Sequence, residues 1–259
     1  MARLGWIGLG RLGGRLAPRL LAAGHRLIVH DLDAGKSLPG AARAATAVEV
    51  AAESDAVFLC VTDTDAVDAV ARDIAAAPGT GKLVVDHSSI HPVRAREIAA
   101  RLKAANGMAW VDAPVSGPAG TCAVFLGGDA ADVTRARPWI AAYAGTITHM
   151  GPQGSGQLAK SASQLVVAAA VVAWEEAVSY VRANGLDPAV FLDACVGAGS
   201  DSGVRGHFGA EIIAGQIAPE TVRNFGKDME NVCDLAEGAA VSVPLARMLR
   251  SRFAKGDAS

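Results

Sequence analysis

Apolar residues gather in short runs over the first 150 positions. These runs are Leu4–Ile7, Leu27–His30, Val57–Val61, Leu83–Asp86, Met108–Asp112, Val124–Leu126 and Thr146–His149. VFLCV and LVV are apolar on both faces, as strands inside a parallel sheet must be. Ala- and Leu-rich stretches with helical spacing separate them. The first of these stops at Gly24, a residue suited to the position just past a helix C-terminus. Alternating strands and helices predict parallel strands joined by crossover helices.

The pattern changes at Gly151–Gly156, where GPQGSG breaks the alternation. A single helical run follows from about Leu158 to Asn184, stopped by Gly185. It would be roughly 40 Å long at the α-helical rise. Its first half is apolar nearly all round and is expected to be buried. Asp187-Pro188 then reads as an N-cap followed by proline at the first helical position. With no strand signal after residue 150, the expected division is an α/β domain at 1–156 and a helical domain at 157–259.

Composition narrows the class. With 259 residues, 51% of them hydrophobic, the chain can bury a core without disulfides or metals. A net charge of −2 with no basic block argues against nucleic acid as the main partner. Cys60, Cys122, Cys195 and Cys233 form no CxxC pair and read as thiols in a reducing compartment. The N-terminus runs straight into a strand with no secretory signal. The apolar stretch Leu165–Trp174 is shorter than a bilayer requires. A cytoplasmic protein without a membrane segment is expected.

Trp6-Ile7-Gly8-Leu9-Gly10-Arg11-Leu12-Gly13 places G-x-G-x-x-G between a strand and a helix. Gly8 permits the tight turn, Gly10 lets the backbone approach a pyrophosphate, and Gly13 lets helix pack on sheet. The helix N-terminus adds N–H donors and a positive dipole end. This is the phosphate loop of a Rossmann dinucleotide-binding domain. Asp31, closing the second strand, can accept hydrogen bonds from the adenosine ribose and would repel a 2′-phosphate, which favours NAD. Arg11 and Lys36 are near enough in sequence to admit NADP.

Here the residues resemble a known family, the β-hydroxyacid dehydrogenases of the 3-hydroxyisobutyrate dehydrogenase group, which are related to 6-phosphogluconate dehydrogenase. WIGLGRLGGRLAPRL is similar to the family's opening fingerprint. VDHSSIHP at 85–92, VDAPVSGPAG at 111–120 and GSGQLAKSASQ at 154–164 match in order, with a weaker match at FGKDMENVCDLA. The resemblance implies a Rossmann domain, a long interdomain helix and an all-α C-terminal domain. It implies that Ser116 and Gly117 hold a substrate carboxylate. Lys160 matches the catalytic lysine, and Lys227 matches a lysine of the helical domain that meets substrate and cofactor. Ser88 and Ser89 match a pair at the nicotinamide end, and Val61 and Thr62 belong to a loop along the cofactor. Gln164 stands where the family usually has Asn, and Ser89 where it has Thr. The segment after Gly117 is about five residues shorter than expected. The chain closes at Ser259, short of the family's last helical turns.

The residues support the chemistry independently. Oxidising a secondary alcohol needs a group that takes the hydroxyl proton. Lys160 sits one turn into a helix whose following face is Val167, Ala168 and Val171, and apolar surroundings should lower its pKa. Gln164, one turn on, shares its face. Hydride transfer between NAD(P) and a small β-hydroxy acid is the leading reading. An imine reductase on the same fold, or a dinucleotide-binding regulator without catalysis, are the alternatives; Lys160 argues against both. The long apolar helix predicts a homodimer or higher homo-oligomer. The six histidines show no metal spacing.

Overall fold

A computed structural model describes residues 1–254. The chain divides into two units, Met1–Lys160 and Ser161–Ser259. In chain order the first unit contains β1 (Arg3–Ile7), α1 (Gly13–Ala22), β2 (Arg26–His30), β3 (Ala42–Arg43) and α2 (Ala47–Glu53). Next come β4 (Ala56–Leu59), α3 (Thr64–Ile74), β5 (Leu83–Asp86), α4 (Pro92–Asn106) and β6 (Ala109–Asp112). It closes with β7 (Val115–Ser116), β8 (Cys122–Gly127), α5 (Ala130–Ile140) and β9 (Ala144–Gly151). The sheet order is β3-β2-β1-β4-β5-β6-β8-β7, with β9 on β8. From β3 to β6 every pair is parallel, and β8 runs antiparallel to β6 and β7.

The strands are apolar on both faces because each face carries helices. Leu4, Trp6, Phe58 and Val85 join one core with Leu16, Leu20 and Tyr143. Their strand neighbours Ile7, Val57, Leu59 and Val84 join the other, with Val50, Val67, Ile98 and Leu102. Alternate residues of one strand thus feed opposite layers. β3 and β7, absent from the sequence expectation, are two residues each, too short for any periodicity to show. The expected strand to Val61 ends at Leu59, because Val61 N–H turns away to Ser88 Oγ at 3.0 Å.

The helix α6 (Ser155–Ala183) starts in the first unit and runs into the second. There follow α7 (Pro188–Ala194), α8 (Gly203–Ala214), α9 (Pro219–Gly238) and α10 (Pro244–Ala254). In the second unit Ala168, Val171, Trp174 and Val178 pack with Phe208, Phe225, Met229, Leu249 and Phe253. The expected burial of the first half of α6 is not met: Leu158 is 53% and Val166 69% exposed. An apolar pattern marks a helix that something can cover, and one chain does not cover all of this one. The apolar stretch Leu165–Trp174 is only the middle of this longer helix. By length and composition α6 could cross a membrane, since 18 of its residues average a hydropathy of 1.4. The chain's end at Ser259 lies outside the described residues.

Two buried polar groups sit among the sheet's apolar side chains. His87 lies against Trp6, Phe58 and Tyr143. Its Nδ1 is 2.6 Å from Ala113 O, an acceptor only, so Nδ1 carries the proton and Nε2 accepts from Tyr143 OH at 2.7 Å. Burial pushes the imidazole down to about 4, so it stays neutral. Asp86 Oδ1 accepts from Ser88 N–H at 2.9 Å, while Oδ2 has no partner among the described residues. Burial pushes this carboxyl up to about 7, against the Ser88 hydrogen bonds.

Between about pH 4 and pH 7 the native Asp86 therefore holds a proton that the unfolded chain has lost, so its contribution to stability falls as pH rises through that window. Asp86→Asn removes this loss. The variant should gain on the wild type by up to about 4 kcal/mol from pH 4 to pH 7 in urea denaturation. The His87 contribution has the opposite slope, but it is common to both proteins and cancels. A difference that does not change with pH would exclude a buried titrating carboxyl. At the start of α6, a Cβ on Gly156 would lie 2.3 Å from Phe125 O and 2.8 Å from Asp112 Oδ2. Gly156→Ala should cost about 3 kcal/mol by the same measurement.

Candidate active site

The C-terminal ends of β1, β4, β5 and β6 lie along one edge of the sheet, the edge where open α/β sheets bind ligands. At β1 the chain turns at Gly8, with φ +96°, where a Cβ would sit 2.2 Å from Cys60 O. Trp6, stacked on Phe58 at 5.4 Å, donates its indole N–H to Gly8 O at 2.9 Å and pins the turn from beneath. A Cβ at Gly13 would lie 2.0 Å from Gly8 O, whereas one at Gly10 would meet nothing within 4 Å. Two glycines are thus required by the protein's own backbone, while Gly10 opens onto free space at the start of α1. Leu9 is buried, Leu12 half-buried and Arg11 exposed. The loop fits a dinucleotide pyrophosphate: it combines open approach with a helix N-terminus.

Asp31 follows β2. Its Oδ2 accepts from Leu9 N–H at 2.7 Å and its Oδ1 from Asp33 N–H at 2.9 Å. Lys36 Nζ is 3.6 Å from Oδ2. Burial opposes the charge, but these hydrogen bonds and the Lys36 ammonium outweigh it and hold the carboxyl below the usual carboxylate range. Arg43, on β3, donates to the backbone carbonyls of Lys36, Asp31 and Asp33 and ties this loop together. Each carboxylate oxygen has a second lone pair, so Asp31 can hold the glycine loop and still accept from a ribose hydroxyl.

Ser88 is the junction on the other side. Its hydroxyl accepts from Val61 N–H at 3.0 Å, bringing two expected cofactor residues together. Ser89 beside it is half-buried, and Thr62 is exposed with its hydroxyl donating to Asp63 at 2.8 Å. Gln157 donates its side-chain amide to Ser88 O at 2.7 Å, and its Oε1 accepts from Ile90 N–H at 3.1 Å. Asp112, fully buried, accepts from Gly154 N–H at 2.8 Å, Gln157 N–H at 3.0 Å and the Gln153 amide at 2.9 Å. Burial raises the Asp112 carboxyl above the usual range, against these bonds. Lys160, also buried, follows three positions after Gln157 on α6.

Ser116 lies on β7 opposite Ala123 and is half-buried; Gly117 turns with φ +95°. In the second unit Gln164 donates its amide to Asp228 Oδ2 at 2.9 Å, and Lys227, next to Asp228 on α9, is half-buried. Asp86, Asp112 and Gln157 were not singled out by sequence reasoning. The two aspartates had a signal, a carboxylate ending an apolar strand in LVVD and AWVD. Gln157 had none. Among the described residues no group of His, Cys, Asp and Glu could hold a metal ion.

Residues 3–151 match the family model of the NAD binding domain of 6-phosphogluconate dehydrogenase. Residues 154–259 match that of the NAD-binding region of NADP-dependent 3-hydroxyisobutyrate dehydrogenase. The chain is 32% identical to the 2-hydroxy-3-oxopropionate reductase of Escherichia coli, over 93% of this chain and 87% of that one. A 3-hydroxyisobutyrate dehydrogenase from Salmonella typhimurium superposes with a TM-score of 0.88 at 29% identity, covering 98% of this chain and 94% of the other. A Mycobacterium tuberculosis 3-hydroxyisobutyrate dehydrogenase solved with L-serine gives a TM-score of 0.81 at 28% identity, covering 98% and 93%. The chain belongs to the β-hydroxyacid dehydrogenase family: it is an NAD(P)-dependent oxidoreductase acting on small β-hydroxy acids.

Proposed function

We propose that Lys160 is the general acid/base of this reaction. The observation that carries the reading is a buried lysine one turn beyond the Asp112-anchored start of α6, in the same unit as the glycine loop and Ser88. In the oxidative direction the neutral amine of Lys160 takes the hydroxyl proton as the carbinol C–H leaves as hydride and the C=O bond forms. The bound nicotinamide supplies the hydride acceptor. In reduction Lys160 returns the proton to the new alkoxide. Ser116 and the Gly117 N–H hold the substrate carboxylate, and Ser88, Ser89, Val61 and Thr62 line the nicotinamide side. We assign Gln164 and Lys227 the substrate-side roles of their family counterparts. Asp31 makes NAD the preferred cofactor, with Lys36 admitting NADP more weakly. Four free cysteines fit a reducing compartment, and we place the enzyme in the cytoplasm.

The test is turnover of 3-hydroxyisobutyrate, L-serine and 2-hydroxy-3-oxopropionate with either cofactor, beside Lys160→Met. Lys160→Met should lose about a thousandfold in kcat while its affinity for NADH stays unchanged. NADH should bind about tenfold more tightly than NADPH. Full turnover by Lys160→Met would overturn the lysine assignment, and tighter NADPH binding would overturn the role of Asp31. Turnover of imines alone would move the enzyme to imine reduction.

The second unit exposes Val166 by 69%, Tyr180 by 71%, Leu186 by 60% and Val190 by 66%. A second copy of the chain is the simplest cover for such a surface. Light scattering should give twice the chain mass, and a stable monomer would count against the dimer.

A further inference from the structure

The hydrogen bonds around Ser88 and Asp112 form one continuous path. Val61 N–H donates to Ser88 Oγ; Ser88 O accepts from the Gln157 side chain, which also accepts from Ile90 N–H. Gln157 N–H and Gly154 N–H both end on Asp112. Gln157 is 1% exposed and uses both ends of its amide on the segment after β5. Its side chain bonds that segment directly to the first turn of α6. Lys160, at i+3, is on the neighbouring turn of the same helix face.

We infer that Gln157 is a positioning residue that couples occupancy of the nicotinamide-side loop, 88–90, to the placement of the Lys160 amine. This rests on the assignment of Lys160 as the acid/base and of Ser88 as a cofactor neighbour. A rigid helix turn passes a shift of the loop straight to the lysine. Misplacing a reacting group by about 1 Å costs on the order of a hundredfold in rate, so a loop that settles on cofactor binding sets the lysine only when the link is intact. The link joins backbone groups through a neutral amide, so it adds no charge beside Asp86 and Asp112.

The experiment is hydrogen–deuterium exchange of the full-length chain with and without NADH, followed in peptides spanning 85–92 and 154–163, on the wild type and on Gln157→Met, which keeps the side-chain volume. In the wild type NADH should slow exchange in both peptides. In Gln157→Met it should slow exchange in 85–92 only. In turnover the same variant should lose about thirtyfold in kcat with KM for NADH changed by less than about threefold. Equal protection of 154–163 in both proteins, or none in the wild type, overturns the inference; so does unchanged kcat. If Gln157→Met does not fold, Gln157→Glu, which keeps the acceptor for Ile90, takes its place. If neither folds, Gln157 serves stability and the proposal falls. Lys160→Met separates the two readings: it should lose about a thousandfold in kcat and leave the NADH-dependent protection of 154–163 intact. Turnover retained by Lys160→Met sinks the lysine assignment, whereas normal behaviour of Gln157→Met sinks the coupling alone.

Discussion

The carboxylate of Asp112 ends β6 with no exposed surface and accepts from backbone N–H groups of Gly154 and Gln157. Those donors sit at the start of a 29-residue helix, whose first N–H groups have no carbonyl acceptor within the helix. A negative group there also meets the positive end of the helix dipole. The desolvation of a buried carboxylate is costly, and here it is offset because the same oxygens satisfy groups that would otherwise be buried without partners. Gly156 has to lack a side chain for this to happen, with Phe125 O and Asp112 both closer than any Cβ allows. The placement of Lys160 follows from that one junction between sheet and helix.

A second constraint acts at the other end of the cofactor site. Asp31 is shared between the glycine loop and its own turn, and Arg43 gathers three carbonyls of that turn. The two-residue strand β3 exists to deliver Arg43 beside β2. Asp31 is therefore part of a loop whose shape is held from beneath, not a free aspartate.

What was legible in the sequence follows the range of the forces involved. The parallel strands and the glycine loop are local signals, and the apolar runs and G-x-G-x-x-G spacing place them within a residue or two. Strand ends moved where a side chain from elsewhere took over a backbone group, as Ser88 does with Val61. Asp86 and Asp112 were visible as strand-ending carboxylates, but their partners lie 2 and more than 40 positions away, and no periodicity encodes such pairs. Gln157 was passed over because a glutamine in an apolar helix carries no pattern; its meaning comes only from what the fold sets against it. The burial of α6 was overestimated for a related reason: apolarity states a demand for cover without saying which surface meets it.

The division of the chain at Lys160 has a consequence for how such a protein can change over time. The glycine loop, Ser88, Asp112, Gln157 and the lysine all fall within Met1–Lys160. The four hydrogen bonds that Gln153, Gly154 and Gln157 make to Asp112 and Ser88 lie inside that unit. Exchange of residues in Ser161–Ser259 therefore leaves those four hydrogen bonds intact. The junction between sheet and helix is inherited as a block, and the sequence beyond Lys160 can vary around it.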